Sequence, residues 1–186
     1  MSFQHWRIER DNDGMATLWF DRANSSTNTF SSEALRELSA ACEALAKAPP
    51  KALAIRSAKE NGFAAGADID EFTSLKSAEE AFAFTKLGND VFDQVAALPF
   101  PTVALIHGFC MGGGSELALA CRFRIADDGD RTRIGLPEVM IGIVPGWGGA
   151  KRMPRLIGAP QALDLMLTGR AVSGKTAQRM GLVDRA

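Results

Sequence analysis

The stretch "CMGGGSELALA" (110–120) sets three glycines, Gly112 to Gly114, directly before Ser115, Glu116 and an apolar run. A glycine turn that opens a helix leaves N–H groups unpaired at the positive end of the helix dipole, which suits an anion. Phosphate is a poor occupant. The phosphate loop ends in Gly-Lys-Ser/Thr, and Ser115-Glu116 stands there instead; the dinucleotide fingerprint needs a third glycine where Leu117 stands. An oxyanion formed only during a reaction, such as an enolate held by backbone N–H groups, fits better. The plainer reading weighs about as much on this motif alone: the glycines permit tight strand–helix packing and Glu116 favours the dipole.

Two further stretches offer chemistry. "GFAAGADIDEF" (62–72) is built of small residues that let a ligand lie against the main chain. Asp68 and Asp70 invite a metal, but their spacing is common in loops, and Asp70 and Glu71 read as solvated acids. "GLPEVMIGIVPGWGG" (135–149) places Glu138 after a proline and before an apolar run, an unusual setting for a surface acid. Burial would raise its pKa toward neutrality and suit it to proton transfer; taken singly, it also reads as an ordinary helix-start acid. His107 and Cys110 lack a third, orienting group, so a Cys–His nucleophile is disfavoured. "DDGD" (127–130) lacks the remaining ligands of a calcium loop and reads as a turn.

These stretches need a scaffold. "HWRIER" and "MATLWF" flank "DNDG" and predict a hairpin. Leu35, Leu38, Cys42 and Leu45 share a face of a helix from Ser32 to Lys47. "ALAIRS" (52–57) is a short strand, and 58–72 reads as a long loop. Phe84, Leu87, Val91, Val95 and Leu98 stripe a helix from Ala78 to Leu98, and Pro99 to Pro101 punctuate its end with two prolines. "TVALIHG" is a strand feeding the glycine turn, "RFRIA" another, and "RIGLPE" strand and loop. "GIVPGWGG" is a loop, two or three short helices follow, and "MGLVDRA" reads as the start of a further strand. The alternation predicts one α/β domain.

The 186 residues suffice for a single core. With 46% hydrophobic and 23% charged residues, the composition is that of a soluble globular domain. A formal net charge of -1 without basic runs argues against nucleic acid as a partner. No apolar run reaches bilayer-spanning length, and the N-terminus has neither signal-peptide nor transit character, so a cytoplasmic setting is expected. Cys42, Cys110 and Cys121 lack zinc spacing and read as buried free thiols.

Together "GFAAGADIDEF", "HGFCMGGGSELALACRFRIA" and "GLPEVMIGIVPGWGGAKRMPRLIG" resemble the crotonase (enoyl-CoA hydratase) superfamily, in its order and over nearly the whole chain. "HWRIERDNDGMATLWFDRANSSTNTFSSEAL", "PPKALAIRSAK" and "LPFPTVALIHGFCMGGG" resemble, more narrowly, the N-terminal hydratase domain of multifunctional fatty-acid β-oxidation α-subunits, where a 3-hydroxyacyl-CoA dehydrogenase region follows. The resemblance implies a crotonase-like α/β fold of repeated ββα units. Residues 1–186 would be its core domain, an N-terminal fragment of a longer chain lacking the usual C-terminal helices.

By position, the resemblance makes the N–H groups of Ala67 and Gly113 an oxyanion hole for an acyl-CoA thioester. Glu116 and Glu138 become the acid/base pair for hydrating a trans-2-enoyl-CoA, with Glu138 the principal proton donor and Glu116 orienting water. Ala65, Gly66, Asp68 and Gly112 would lie along the CoA and thioester. Gly146 and Trp147 would lie near the acyl pocket, against a reading of Trp147 as packing. Arg22 and Lys59 are candidates for CoA phosphates, against a reading as solvated charges. No cofactor or metal is implied beyond the coenzyme A of the substrate. A homo-oligomer, or association through the C-terminal region, is expected. The alternatives are a Δ3,Δ2-enoyl-CoA isomerase and an inactive acyl-CoA-binding or assembly fragment.

Overall fold

A computed structural model describes residues 3–186. Strands β1 (Trp6–Arg10) and β2 (Ala16–Phe20) pair antiparallel, as the "DNDG" turn predicts. Asp11 Oδ1 accepts from the N–H groups of Asp13 and Met15 at 2.9 Å each, closing the turn. Helix α1 (Ser32–Lys47) matches its sequence bounds, and Ser31 caps it by accepting from Ala34 N. Strand β3 (Leu53–Ser57) lies parallel to β2.

The segment 58–72, read as one long loop, holds strand β4 (Gly62–Ala64) and helix α2 (Ile69–Ser74). Three fully buried strand residues leave no alternation to detect, and six helical residues are too few to show a period. Glu71, read as solvated, instead accepts from Ser32 N and Ser32 Oγ, tying α2 to the start of α1.

Helix α3 (Ala78–Ala96) ends two residues before the expected Leu98. Strand β5 (Thr102–Ile106) then leads into a short strand, β6 (Phe109–Met111), and helix α4 (Gly113–Ala120). Strands β7 (Phe123–Ala126) and β8 (Arg133–Gly135) follow, then a 3₁₀ turn at Glu138–Ile141. Helices α5 (Gly149–Ile157) and α6 (Ala159–Thr168), strand β9 (Ala171–Val172) and helix α7 (Gly174–Met180) complete the chain. The expected final strand is reduced to one bridge between Arg185 and Ile125.

Two sheets result, ordered β1-β2-β3-β5-β7 and β4-β6-β8-β9. Every pair except β1–β2 and β8–β9 is parallel. Every residue of α4 is buried. Its start therefore sits inside the molecule, where N–H groups that bond nothing are not screened by water. Cys42, Cys110 and Cys121 are free and buried, and burial pushes each thiol up to about 12. Among the described residues no helix is long and apolar enough to cross a membrane.

Candidate active site

Strands β4 and β6 run side by side and parallel, so the turns that follow them emerge together. Gly66 lies in the first turn with φ +107, where a β-carbon would sit 3.3 Å from Gly113 N and 3.4 Å from Met111 O. Such a backbone conformation and such a close approach both call for glycine. Phe30 N donates to Gly66 O at 2.8 Å and Asp68 N donates to Phe30 O at 2.9 Å. This bridge clamps both sides of Ala67 and leaves the Ala67 N–H outside it. Gly113 is the first residue of α4, and its N–H precedes the helical ladder. Neither N–H has a partner among the described residues.

The glycine run also serves packing. Gly112 turns the chain at φ +52 and donates to Gly135 O at 3.0 Å. A β-carbon on Gly113 would meet the Trp147 ring at 2.6 Å, and one on Gly114 would meet Ala64 C at 3.0 Å. The packing reading of the glycines therefore holds, and the Gly113 N–H stays open beside it. Ser115 Oγ lies 2.6 Å from Cys110 O and 2.8 Å from Gly135 O, fixing α4 to β6 and β8.

Glu116, 2% exposed, points from α4 into the interior. Its Oε1 accepts from Trp147 N and Gly149 N at 2.8 Å each. Burial raises its pKa; the Gly149 and Trp147 N–H groups and the Arg152 charge oppose this without reversing it. The sequence could not decide that contest between dipole and desolvation.

Glu138 begins the 3₁₀ turn directly after Pro137 and is 8% exposed. Its Oε1 would lie 3.3 Å from a β-carbon on Gly112, so it faces the same glycine turn. Its Oε2 is buried without a hydrogen-bond partner among the described residues. Burial first, and the Glu116 charge second, push its pKa up to about 7. The helix-start reading and the buried-acid reading are both true of this residue.

The loop between the 3₁₀ turn and α5 is shaped by Trp147. Its indole is buried among Phe30, Phe84 and Phe92, with ring centroids 6.0, 5.5 and 5.6 Å away. Gly88 of α3 opens the slot, since a β-carbon there would overlap the indole. The ring is packing, and what Trp147 brings to the site is its backbone N–H. Gly146 O accepts from Asn89 Nδ2 of α3.

The remaining expected contacts are distributed differently. Ala65 is exposed beside Gly66, and its N–H donates to Asn28 O at 2.9 Å. Asp68 caps α2 by accepting from Glu71 N at 3.1 Å and pairs with Arg22. Burial opposes its ionisation, yet the Glu71 N–H and the Arg22 guanidinium prevail and hold its carboxyl below the usual range. Lys59 Nζ pairs with Asp21 at 2.5 Å and donates to Arg22 O at 2.9 Å. Arg22 and Lys59 are thus not simply solvated charges: each pairs with an acid, and each donates to a main-chain carbonyl, Arg22 to Thr29 O and Lys59 to Arg22 O. His107 Nε2 lies 2.7 Å from Lys59 O rather than on Cys110. Among the described residues no group of three or more His, Cys, Asp or Glu side chains could hold a metal.

Two participants escaped the sequence reading. Asn28, fully buried, donates to Phe20 O and Ser57 Oγ and accepts from Arg22 N, fixing the loop that carries the Phe30 bridge. Arg152 donates to Trp147 O at 3.0 Å and pairs with Asp93 of α3. Neither sits in a motif whose spacing announces it.

Known proteins are similar to this chain in sequence and in fold. A family described as enoyl-CoA hydratase/isomerase matches residues 10–186. The fatty acid oxidation complex subunit alpha of Shewanella amazonensis is 44% identical over 178 residues, 95% of this chain and 25% of that protein. Its counterpart from Vibrio vulnificus is 43% identical over 180 residues, 96% of this chain and 26% of that protein. The chain spans about a quarter of the length of these curated relatives. The crystal structure of an enoyl-CoA hydratase from Bacillus anthracis superposes with a TM-score of 0.91 at 33% identity, over 98% of this chain and 69% of that one. One from Thermoplasma volcanium gives 0.89 at 32% identity, over 98% and 71%.

Proposed function

Since the chain belongs to the enoyl-CoA hydratase/isomerase family, we propose that it hydrates trans-2-enoyl-CoA thioesters to 3-hydroxyacyl-CoA. The observation that carries this reading is the pairing of Glu116 and Glu138: two buried carboxyls, each with a raised pKa and the charge of one acting on the other, with Glu138 facing the glycine turn that also presents the unengaged Gly113 N–H. Proton transfer within a substrate needs one acid/base group. Adding water across a double bond is better served by two, one for each half of the water.

In this mechanism the thioester oxygen accepts from Ala67 N–H and Gly113 N–H. Ionised Glu116, held by Trp147 N–H and Gly149 N–H, takes a proton from water as its oxygen bonds to C3. The π electrons of the C2–C3 bond move toward the thioester, and the developing oxyanion meets fixed donors worth roughly 3–4 kcal/mol each. Protonated Glu138 then delivers its proton to C2. Proton exchange with solvent resets both carboxyls. The orphaned Glu138 Oε2 and a pKa about 7 suit the donor role at neutral pH. No cofactor enters the proposal beyond the coenzyme A of the substrate.

The relatives' names, fatty acid oxidation complex subunit alpha, favour β-oxidation as the setting. A cytoplasmic location belongs to the same reading, in keeping with three unpaired buried thiols. So does association, with another copy or with further parts of a longer chain; exposed Met140, Ile141, Val144 and Leu167 support it.

The test is crotonyl-CoA, followed by loss of its conjugated enoyl-thioester absorbance. Loss with formation of 3-hydroxybutyryl-CoA upholds hydration. Conversion of a 3-enoyl-CoA to the 2-enoyl isomer without hydration favours the isomerase. Acyl-CoA binding with neither reaction favours the binding fragment.

A further inference from the structure

We infer that Arg152 is a positioning residue for hydration: its guanidinium fixes the Trp147–Gly149 main chain whose two N–H groups hold Glu116 Oε1. Arg152 lies in the first turn of α5, where its own N–H donates to Gly148 O at 2.8 Å. Its side chain folds back beneath that residue. A β-carbon on Gly148, at φ +102, would sit 2.9 Å from Arg152 Cζ. From there Nη1 donates to Trp147 O at 3.0 Å and Nη2 pairs with Asp93 of α3. Trp147 is therefore gripped on both sides of its backbone, its N–H by Glu116 and its C=O by Arg152.

Arg152 also brings charge. Its side chain is 13% exposed, whereas the Asp93 carboxylate that pairs with it is 60% exposed. Water screens the anion more than the cation, so a net positive potential persists on the buried side, toward Glu116. The charged groups facing Glu116 are Glu138 from the 3₁₀ turn and Arg152 from α5, of opposite sign. Arg124 of β7 and Arg155 of α5 line, with Arg152, an outer cleft of about 230 Å³ that also takes in Leu119 and Leu156. Arg124 is committed to the C=O groups of Cys121 and Leu182 and to Asp184. A guanidinium suits both duties, because its planar fork binds a carbonyl and a carboxylate at once; an ammonium supplies the charge without the fork.

The inference rests on the proposed role of Glu116 as base, and two readouts keep the two apart. The first is kcat and KM for crotonyl-CoA across pH for wild type, R152Q and R152K. The second is a substrate-free ¹³C NMR titration of the Glu116 carboxyl, assigned with E116Q, with thermal melts to confirm folding. R152Q is expected to lose about ten- to a hundredfold in kcat with KM little changed. Its acid limb and its Glu116 titration should rise by about 0.5–1 pH unit. R152K should return the limb and the titration to wild-type positions while recovering only part of kcat. Wild-type kcat and titration in R152Q would overturn the inference. So would equal losses in both variants with Glu116 titrating as in wild type, since that marks a merely structural side chain. If the wild type leaves crotonyl-CoA unchanged, the hydratase reading fails alone. The NMR titration then still decides whether Arg152 acts on Glu116: a shift in R152Q reversed by R152K upholds that coupling, and an unmoved titration defeats it.

Discussion

Glu116 and Glu138 share one buried site on unequal terms: Glu116 Oε1 is held by two backbone N–H groups, while Glu138 Oε2 has no partner among the described residues. The charge of Glu116 is also one of the causes that raise the Glu138 pKa. The pair is therefore coupled, and apparent pKa values measured in the kinetics will belong to both residues.

Glu138→Gln removes the proton donor and Glu116→Gln the base. Each is expected to lower kcat by about 10²–10⁴-fold with a much smaller change in KM. The double variant should lose far less than the product of the two, because the groups act as a unit. Steady-state hydration of crotonyl-CoA measures all three.

The raised pKa of Glu138 also makes a stability prediction. Below about pH 4 the carboxyl is protonated in folded and unfolded chains alike, and its stabilising contribution is fully present. As pH rises toward 7 the unfolded chain ionises first, and that contribution is lost through the folded pKa about 7. Glu138→Gln cannot ionise. Its stability relative to wild type should therefore grow by on the order of 2 kcal/mol between pH 4 and pH 8. Urea unfolding at the two pH values reads this directly; a constant difference would show that Glu138 titrates normally.

Ala67→Pro deletes one proposed oxyanion donor. The flanking bridge uses Gly66 O and Asp68 N, so both of its bonds survive the change. A loss of about 10²–10³ in kcat is expected. Ala67→Ser keeps the N–H and should stay near wild type. Equal activity in the two variants would remove Ala67 from the site.

Gly88 and Gly149 separate packing from positioning. Gly88→Ala drives a methyl into the Trp147 indole and should destabilise the fold by about 1–3 kcal/mol. Thermal unfolding should shift downward by about 2–4 °C for each kcal/mol. A β-carbon on Gly149 would stand 3.0 Å from Glu116 Cγ and Oε1. Gly149→Ala should therefore cost more in kcat, about 10²-fold, than in melting temperature.

Asp68→Asn keeps a capping oxygen for Glu71 N but leaves the Arg22 guanidinium, 20% exposed, without its counter-ion. A loss of about 1–2 kcal/mol is expected in chemical unfolding. The apparent affinity for a CoA thioester should weaken little, because the Arg22 guanidinium is already engaged by Asp68 and Thr29. A large loss of CoA affinity at unchanged stability would return Asp68 to direct substrate contact.

Much of this was legible in the chain itself. The period of α1, the turn chemistry of "DNDG" and the alternation of strands with helices are local signals, carried within a few residues. The glycine run and the oddly placed acids Glu116 and Glu138 marked where to look, because charges beside glycine or within apolar runs are costly unless used. The short elements β4, β6, β9 and α2 left no period to read; tertiary pairing alone makes them regular. Only the fold decided that the Trp147 ring is core, facing Gly88 and Gly113, while its N–H holds Glu116 Oε1. Arg22 and Lys59 found acidic partners that sequence distance concealed. The net titration of Glu116 was likewise set by burial against two N–H groups and one arginine, groups 31 to 36 positions away along the chain that only folding brings within reach of one carboxylate.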